Sequence, residues 1–385
     1  MFKAKVEFIL KMINDIEFII NRHTFITNAL NDREGQLAIL MALMNIGETL
    51  NKIDENILKN YNLLEDSKGA YAVRNFIAHD YEGVKLSVIE EILRYNIPIL
   101  KQKLRKILNH KPIYLCAISN IRSGICNEDC KFCIQSVKHK ANILRYEKKE
   151  IKEIVNEAKL AKKNRAGGFC LVTSGKDLDD KTLEYVCKAA KAVLKEVDIT
   201  IIACNGTAEK EKLQELKKAG VKIYNHNLET SREHYPNICT THSWDERFLT
   251  CENIKSVGLW LCCGGIFGIG ESKEDINSFI NSLKTLKPEG IPVNFFIEHQ
   301  SLPLKASHNK KYALEIIKQI ASEFSESIIM LAGGREKVFG ENYIEALKAG
   351  ANSIVIGDYL TTDGEKPDKD LEYLLKEGFE IADEC

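Results

Sequence analysis

Three cysteines in one short stretch are the residues of this sequence best suited to metal chemistry. Cys126, Cys130 and Cys133 lie within eight residues of one another, at spacings of four and three. A short loop can bring three such thiolates towards one point, where they suit a soft metal centre. A tetrahedral zinc site would need a fourth ligand, which His139 could supply. The alternative is a [4Fe-4S] cluster with three cysteine ligands and one iron left open.

This C-x3-C-x2-C spacing resembles the signature of the radical S-adenosylmethionine (SAM) superfamily. Members of that superfamily hold SAM by its amino and carboxylate groups on the open iron, and one electron then cleaves its C–S bond. The resemblance implies a [4Fe-4S] cluster and SAM as cofactors. Cys126, Cys130 and Cys133 would be the iron ligands, and Phe132 would pack near the adenine of SAM.

The bulk composition is that of a globular protein with two domains. The 385 residues exceed one ordinary domain, and 44% of them are apolar and 28% charged. Because 54 Lys and Arg nearly balance 55 Asp and Glu, no overall basic field points to nucleic acid. No apolar run approaches the ~20 residues that span a bilayer, so we expect no membrane association. Twelve cysteines without a secretory signal predict a cytoplasmic protein.

Residues 1–108 are predicted to form an all-α helical bundle. Apolar residues recur there at helical spacing with charged residues between them, and the segment contains one proline, Pro98. The predicted helices cover residues 8–20, 35–53, a run that begins near 71, and a run from 84 or 86 to 107. An antiparallel bundle is the simplest fold for this pattern.

Arg74, His79 and Tyr81 form an R-x4-H-x-Y motif within this bundle. Residues five apart are not neighbours on a continuous helix, but a break near His79 would bring the Arg and His together at a phosphate-binding edge. The motif resembles the HepT-like family of toxin ribonucleases, over residues 1–108 and including Gly47-Glu48. The resemblance implies that Arg74 and His79 are a catalytic pair, that an antitoxin modifies Tyr81, and that nucleic acid is a partner if the domain is active. The alternative is a rim of a dimer interface without activity.

Residues 109–385 show apolar β-type runs that alternate with amphipathic helices, which is typical of a parallel α/β fold. Eight strands are predicted, with cores at 113–119, 168–173, 198–203, 222–227, 259–263, 293–297, 328–331 and 353–356. The predicted helices between them cover 149–163, 178–194, 208–218, 244–256, 273–286, 310–324 and 343–349. Eight such units predict a (β/α)8 TIM-type barrel, whose chemistry lies at the carboxyl ends of the strands.

Four residues of chemical interest lie on or after separate predicted strands. Cys170, Cys204 and Cys262 belong to the second, third and fifth strands, and the seventh strand runs into Arg335. A single cysteine in a strand is most often a small core residue, and Arg335 alone could clamp a phosphate or a carboxylate. In a closed barrel, however, three thiols on separate strands point into one lumen.

Several separated motifs resemble the biotin synthase family, in the right order, over roughly residues 113–370. They are Phe169-Cys170, Cys204 to Thr207, Tyr224 to Ser231, Cys262 to Glu271, and Ala332-Gly-Gly-Arg335-Glu336. The resemblance implies an auxiliary [2Fe-2S] cluster that donates sulfur, with Cys170, Cys204, Cys262 and Arg335 as its ligands. Cys116 on the first strand is expected to line the lumen, at a position where this family often has serine.

The end of the fourth predicted strand carries Asn227 and Glu229, which share a face because they are two residues apart. Both could bind the ribose hydroxyls of SAM or the ureido ring of dethiobiotin. The family often has Asp at the second position, so Glu229 reaches one methylene further. Asn294 in the sixth strand is a further candidate for the ureido group, since an amide both donates and accepts hydrogen bonds.

The resemblance to the family implies a sulfurtransferase that inserts sulfur into dethiobiotin to give biotin. SAM would be cleaved to methionine and a 5′-deoxyadenosyl radical, which removes hydrogen from C9 and, with a second SAM, from C6. Reduced flavodoxin or ferredoxin would supply the electron, and a homodimer is the expected assembly. The alternatives are a different radical SAM enzyme with the same barrel, and a chain that acts mainly through the helical domain as a nucleotide-binding or RNA-cleaving module.

Overall fold

A computed structural model describes residues 2–79, 83–108, 112–340, 342–362, 364–377, 379–382 and 384. The chain divides into two compact units. One unit contains residues 1–111 and 372–380, and the other contains residues 112–371 and 381–385. The domain boundary between residues 108 and 109 stays a prediction, and the grouping of residues 372–380 with the first unit was not expected from the sequence.

The first unit is helical. Its helices are α1 (Phe2–Arg22), α2 (Ile26–Asn31), α3 (Arg33–Asn51), α4 (Glu55–Asn60), α5 (Leu64–His79), α6 (Leu86–Glu91) and α7 (Ile97–Leu108), with a π-helical turn (Ile92–Asn96) between the last two. The predicted all-α domain is confirmed, although α5 begins at Leu64 rather than near Tyr71. The π-helical turn comes just before Pro98, which has no N–H to donate to the carbonyl of the preceding turn.

Helices α3 and α5 approach each other closely at Gly47. A Cβ at this position would lie 2.4 Å from the carbonyl oxygen of Ala70 and 2.8 Å from the Cβ of Arg74. Only glycine therefore allows this approach of the two backbones. Helix α1 contacts α3 and α7, and buried apolar residues of all these helices, such as Ile13 and Ile46, form one core.

The second unit alternates strands and helices. Its strands are β1 (Tyr114–Arg122), β2 (Gly168–Thr173), β3 (Thr200–Cys204), β4 (Val221–Asn225), β5 (Trp260–Cys262), β6 (Gly265–Phe267), β7 (Gly290–Phe295), β8 (Ile328–Leu331) and β9 (Ser353–Val355). Its helices are α8 (Ile151–Lys163), α9 (Asp180–Glu196), α10 (Lys210–Lys218), α11 (Tyr235–Ile238), α12 (Trp244–Ser256), α13 (Lys273–Leu286), α14 (Lys310–Glu323), α15 (Arg335–Phe339) and α16 (Ile344–Lys348), and α17 (Pro367–Lys376) begins in this unit. Among the described helices of the chain, none is long and apolar enough to cross a membrane.

The strands form one parallel sheet that closes on itself. Their order is β5-β4-β3-β2-β1-β9-β8-β7-β6, and β5 also pairs with β7 through Cys262 and Gly290. Strand β5 matches the predicted fifth strand, and β6, which was not predicted, continues the same stave, so the described strands make eight staves. The predicted (β/α)8 barrel is therefore confirmed.

The fifth stave is interrupted at Gly264. A Cβ on this residue would lie 1.9 Å from the carbonyl oxygen of Pro292 in β7, so the backbones of the two staves nearly touch. The interruption frees backbone groups for the segment after β4. Gly264 N donates to Asn227 Oδ1 at 3.0 Å, and Gly264 O accepts from Leu228 N at 3.1 Å. The same break thus closes the barrel and fixes the end of the fourth stave.

Candidate metal centres and active site

The loop that carries Cys126, Cys130 and Cys133 follows β1 and precedes α8. Backbone hydrogen bonds fold it on itself, since Cys126 N donates to Gln135 O at 3.4 Å and Cys133 N donates to Cys130 O at 3.0 Å. The three cysteines form no disulfide, and they are partly buried, as is Phe132. The structure thus keeps the three predicted cluster ligands on one compact loop.

Asp129 fixes this loop to the segment that follows α11. Its carboxylate accepts hydrogen bonds from the backbone N–H groups of Thr240, at 2.9 Å, and Thr241, at 3.2 Å, and from both threonine hydroxyls. Lys131 N adds a bond to the carbonyl oxygen of Ile238 at 2.8 Å. Burial alone would raise the pKa of Asp129, but these donors outweigh it and hold the pKa well below its usual range. One ionised carboxylate therefore holds the loop against its neighbouring segment.

Cys239 and His242, on the same segment, lie beside Cys130. The Sγ atom of Cys239 is 3.7 Å from Cys130 Sγ and 3.2 Å from His242 Nδ1, and that nitrogen lies 2.9 Å from Glu128 Oε2. The hydrogen bond from Cys130 lowers the pKa of Cys239, whereas that donation and burial raise the pKa of Cys130. Neither Cys239 nor His242 was identified from the sequence, where the available signal is the Cys-Thr-Thr-His run after the fourth strand.

Distances between ligand atoms separate a site for a single ion from a site for a cluster. In the described part of the chain, one group of His, Cys, Asp or Glu side chains has its ligand atoms all within 4.8 Å of one another, namely Cys130, Cys239 and His242. The three loop cysteines are spaced more widely, although zinc–sulfur bonds of about 2.3 Å need close sulfur atoms. His139 directs Nε2 to the carbonyl oxygen of Cys130, at 2.9 Å, and is not placed as a fourth zinc ligand.

Glu229 lies near cysteines of both groups. Burial raises the pKa of Cys133 to about 11 and that of Cys204 to about 12, and the negative charge of Glu229 contributes to both shifts. Arg247 Nη2 donates to Glu229 Oε1 at 3.0 Å, and Arg247 Nη1 lies 3.3 Å from His242 Nε2. Burial also raises the pKa of Glu229, with the charge of Arg247 acting in the opposite direction.

The second oxygen of the Glu229 carboxylate has no partner within the described part of the chain. Its Oε2 atom is buried and has no hydrogen-bond donor among the described residues. A buried carboxylate oxygen without a donor is costly unless a ligand supplies one. The site therefore fits a ligand that brings hydroxyl groups, such as the ribose of SAM.

A cavity of about 260 Å³ lies in the barrel lumen and is lined by thiols from four staves. They are Cys116 on β1, Cys170 on β2, Cys204 on β3 and Cys262 on β5. Burial raises the pKa of Cys170, and the neighbouring thiols of Cys204, Cys116 and Cys262 raise it further. The structure thus brings together the three cysteines of the suggested ligand set, and Cys116 lines the lumen with them, as expected.

Arg335 is not among the residues that line this cavity. Its guanidinium donates to both oxygens of Asp370 at 2.8 Å and to Glu336 Oε1 at 2.8 Å. The side chain of Arg335 is 1% exposed and that of Asp370 is fully buried. The expected meeting of Arg335 with the three lumen cysteines is not observed, because the chain turns at Gly334 (φ +86°) and α15 then begins at Arg335.

Three asparagine amides line the same cavity, namely Asn225, Asn227 and Asn294. Asn227 accepts the bond from Gly264 N described above. Asn294 Nδ2 donates to Gly265 O at 3.1 Å, and Asn294 Oδ1 accepts from Gly333 N at 2.9 Å. Asn225 Oδ1, in contrast, is buried without a donor among the described residues. Asn225 was not singled out from the sequence, although it precedes Asn227 by two residues on the same strand end.

In the helical unit, Arg74 is paired with Glu48 rather than with His79. Arg74 Nε lies 3.0 Å from Glu48 Oε2, and its guanidinium lies 5.7 Å from the centre of the Tyr71 ring. Helix α5 continues without a break to His79, whose side chain is exposed. No break separates Arg74 from His79 within α5, and residues 80–82, which include Tyr81, lie outside the described residues.

The barrel and its cysteine loop define a radical SAM protein. Residues 120–283 match the Radical SAM superfamily, and residues 292–380 match the Biotin and Thiamin Synthesis associated domain. The X-ray structure of the [FeFe]-hydrogenase maturase HydG from Carboxydothermus hydrogenoformans shares the fold, with a TM-score of 0.63 and 18% identity over 88% of this chain and 84% of that one. Methylornithine synthase does so with a TM-score of 0.61 and 16% identity over 98% of this chain and 97% of that one.

Sequence relatives identify the family more narrowly. This chain is 78% identical to a biotin synthase of Nautilia profundicola over 275 residues, which are 71% of this chain and 100% of the relative. It is 55% identical to a biotin synthase of Aliarcobacter butzleri over 280 residues, which are 72% of this chain and 99% of that protein. The chain belongs to the biotin synthase family, as its motifs suggested, and this family implies a [4Fe-4S] cluster and SAM. Residues 9–107 match the Ribonuclease HepT-like family.

The Asp129→Asn substitution is expected to loosen the cysteine loop. It removes the charge that several donors from Thr240 and Thr241 share, and a hydrogen bond to a charged group contributes about 1.5–3 kcal/mol. We expect the reconstituted protein to lose iron to a chelator about tenfold faster or more, measured by absorption at pH 7. Asp198→Asn, at an exposed position, is the control. Equal rates of iron loss in both variants would contradict the anchoring role of Asp129.

The Asp370→Asn substitution tests whether Arg335 is part of the buried framework. Removing one partner of a buried ion pair costs about 3–5 kcal/mol, and we expect about 2–3 kcal/mol here because Glu336 still faces Arg335. The measurement is the free energy of unfolding in urea. Glu345→Gln, which breaks the exposed pair with Lys310, is the control and should cost less than about 1 kcal/mol. Similar losses in the two variants would show that Arg335 does not depend on Asp370.

Proposed function

We propose that the barrel unit acts as a biotin synthase, a sulfurtransferase that inserts sulfur into dethiobiotin by radical SAM chemistry. Membership of the biotin synthase family supports this activity. The structural observation that carries it is the presence of two separate groups of cysteines. One group lies on the loop of residues 126–133, and the other lines the barrel lumen. A radical generator and a sulfur donor need two such sites.

The bound groups supply the chemistry that side chains lack, namely one-electron cleavage of SAM to methionine and a 5′-deoxyadenosyl radical, and sulfur for the two C–S bonds. We assign Cys126, Cys130 and Cys133 to the [4Fe-4S] cluster. Asp129 keeps their loop in place. Glu229, with its unpartnered oxygen, is assigned to the ribose hydroxyls of SAM, and Phe132 to the adenine.

The lumen is assigned to dethiobiotin and the sulfur donor. Cys170, Cys204 and Cys262 are soft ligands suited to an auxiliary [2Fe-2S] cluster. Asn225 and Asn294 supply amides for the ureido ring, with Asn225 Oδ1 free to accept from a ring N–H. Asn227 lies beside them and holds the break at Gly264. Strands surround the cavity, and exclusion of water from it would protect a reactive radical from stray hydrogen donors.

Cleavage of SAM needs a protein that donates one electron at a time. We propose reduced flavodoxin or ferredoxin as the electron donor and the cytoplasm as the compartment, where twelve cysteines remain available for metal binding.

For the helical unit we propose self-association rather than RNA cleavage. Large apolar side chains are exposed on its surface, including Phe18 at 70% and Tyr95 at 65% exposure. Contact with a second copy of the chain would cover these side chains. The pairing of Arg74 with Glu48 leaves the proposed catalytic arginine engaged. A homodimer formed through this unit is therefore the favoured assembly.

Activity of cysteine variants tests the proposed reaction. With SAM, a reductant and dethiobiotin under anaerobic conditions, the reconstituted protein is expected to form biotin, methionine and 5′-deoxyadenosine. Cys126→Ser should abolish all three products, because cleavage of SAM needs the loop cluster. Cys170→Ser should abolish biotin while 5′-deoxyadenosine still forms. Cys187→Ser on α9, outside both groups, is the control. Biotin formation by Cys170→Ser at the control rate would rule out the assigned sulfur site.

The Glu229→Gln substitution tests the assigned SAM site. Loss of the charge should raise the Kd for SAM about tenfold, since hydrogen bonds to a charged group contribute about 1.5–3 kcal/mol. Because burial raises the pKa of Glu229, the carboxylate gains its proton at a higher pH than an exposed glutamate does. SAM affinity of the unmodified protein should therefore weaken as the pH falls towards that raised pKa. Binding is measured by calorimetry, with Glu209→Gln as the exposed control, and an unchanged Kd in Glu229→Gln would argue against the assignment.

The two roles considered for the helical unit are distinguished by incubating the full-length chain with tRNA. We expect no cleavage, and light scattering should give the mass of a dimer. Phe18→Asp should shift that mass towards the monomer without changing SAM cleavage, because an aspartate cannot remain in an apolar interface. Cleavage of tRNA that disappears in His79→Ala would overturn this proposal and support a ribonuclease.

A further inference from the structure

The barrel lumen holds one thiol more than the ligand set that the family resemblance implied. Cys116 lines the same cavity of about 260 Å³ as Cys170, Cys204 and Cys262, whereas Arg335 does not line it. Both are buried residues, but they differ in what surrounds them. Cys116 is 3% exposed in the apolar cluster of the lumen, and Arg335 is held outside this cluster.

The ion pair of Arg335 opposes its movement into the lumen. Its guanidinium donates to both oxygens of Asp370, whose side chain is fully buried. If the guanidinium moved to a metal site, the carboxylate of Asp370 would be left as an unpaired buried charge, which costs several kcal/mol. Arg335 would also have to lose a proton to bind iron, and arginine keeps its proton under nearly all conditions.

The position of Cys116 follows from the register of neighbouring strands. Cys170 on β2 pairs with Ile118 on β1. Cys116 precedes Ile118 by two residues, so the side chains of Cys116 and Ile118 lie on the same face of β1. On its other side, Cys116 pairs with Val355 of β9, which also lines the cavity. Cys116 therefore faces the lumen one residue pair below Cys170, on the neighbouring stave.

Other donors in the cavity are less suited to iron. Met330 offers a neutral thioether, which is a weaker ligand than a thiolate. The hydroxyl of Tyr359 lies 3.2 Å from the carbonyl oxygen of Ala332 and 3.3 Å from a carboxylate oxygen of Glu336. The amide of Asn294 is already joined to backbone on both sides. Four thiolates, in contrast, are the commonest ligand set of iron–sulfur clusters.

We propose that Cys116 is the fourth protein ligand of the lumen cluster and that Arg335 is a framework residue. This inference rests on the proposed function, which places a cluster in the lumen. The four lumen thiols are not all within 4.8 Å of one another, since the described residues contain only the one such group near Cys130. That wider spacing suits a cluster with more than one iron. An added thiolate makes the cluster more negative, so its reduction potential is lower than with a neutral ligand.

The test uses the full-length chain with Cys126, Cys130 and Cys133 all changed to Ser, so that iron bound after anaerobic reconstitution reports the lumen alone. Into this parent chain we would introduce Cys116→Ser, Arg335→Lys or, as a control, Cys187→Ser. Iron content, the absorption spectrum and the Mössbauer spectrum are recorded, and the rate of iron loss to a chelator is measured. Circular dichroism confirms that each variant is folded.

We expect Cys116→Ser to change the Mössbauer and absorption spectra and to release iron at least about tenfold faster, since even the supporting partners of metal ligands contribute about 10–100-fold. Arg335→Lys and Cys187→Ser should leave the spectra unchanged. If Cys116→Ser leaves the iron spectra unchanged, or if Arg335→Lys changes them, the assignment of Cys116 as a ligand is wrong. The lumen cluster itself would still stand in either case. A parent chain that binds no iron would overturn the lumen cluster itself and this inference with it.

Discussion

The pairing of β5 with β7 is the constraint on which the barrel unit depends, because it closes a parallel sheet into a ring. The parallel arrangement directs the carboxyl ends of all staves to one end of the barrel, and closure makes neighbours of residues that are far apart in the chain. Cys116 and Cys262 meet in one cavity only because the ring is closed. The glycine at 264 permits this closure, and the break that it causes also holds Asn227. Gly264 therefore both allows the barrel to close and fixes the position of Asn227 beside the cavity.

The two cysteine groups are joined by a short polar network. Asp129 attaches the cysteine loop to the segment that carries His242, and Arg247 links His242 to Glu229. The charge of Glu229 in turn acts on Cys133 of the loop and on Cys204 of the lumen. A ligand between the two groups would meet this carboxylate. In the proposed reaction, Glu229 would bind SAM between the cluster on the loop and the substrate in the lumen.

Much of the barrel could be predicted from the sequence because its signals are local. Strands such as Gly168–Thr173 are continuous apolar runs, as buried parallel strands require. The helices Trp244–Ser256 and Lys273–Leu286 were predicted with the observed ends, since each begins with a capping box that the sequence displays. The three lumen cysteines could be predicted for the same reason, because strand ends define one side of a barrel.

The site residues that differ from expectation depend on contacts between distant segments. Arg335 was expected beside the cysteines because it follows a strand, but a turn at Gly334 and a distant partner, Asp370, hold it elsewhere. His139 was considered as a zinc ligand because it is close in sequence, whereas Cys239 lies closer in space to Cys130. Such partners are recognised only when the fold brings the segments together.

Two separate iron–sulfur sites on one chain are the basis of the proposed reaction. The most direct measurement is iron and acid-labile sulfide per chain after anaerobic reconstitution, combined with a Mössbauer spectrum of the unmodified protein. We expect about six irons in two spectral components, one from a [4Fe-4S] cluster and one from a smaller cluster. About four irons in a single component would leave the lumen without a sulfur donor. Zinc in place of iron would contradict both iron–sulfur assignments.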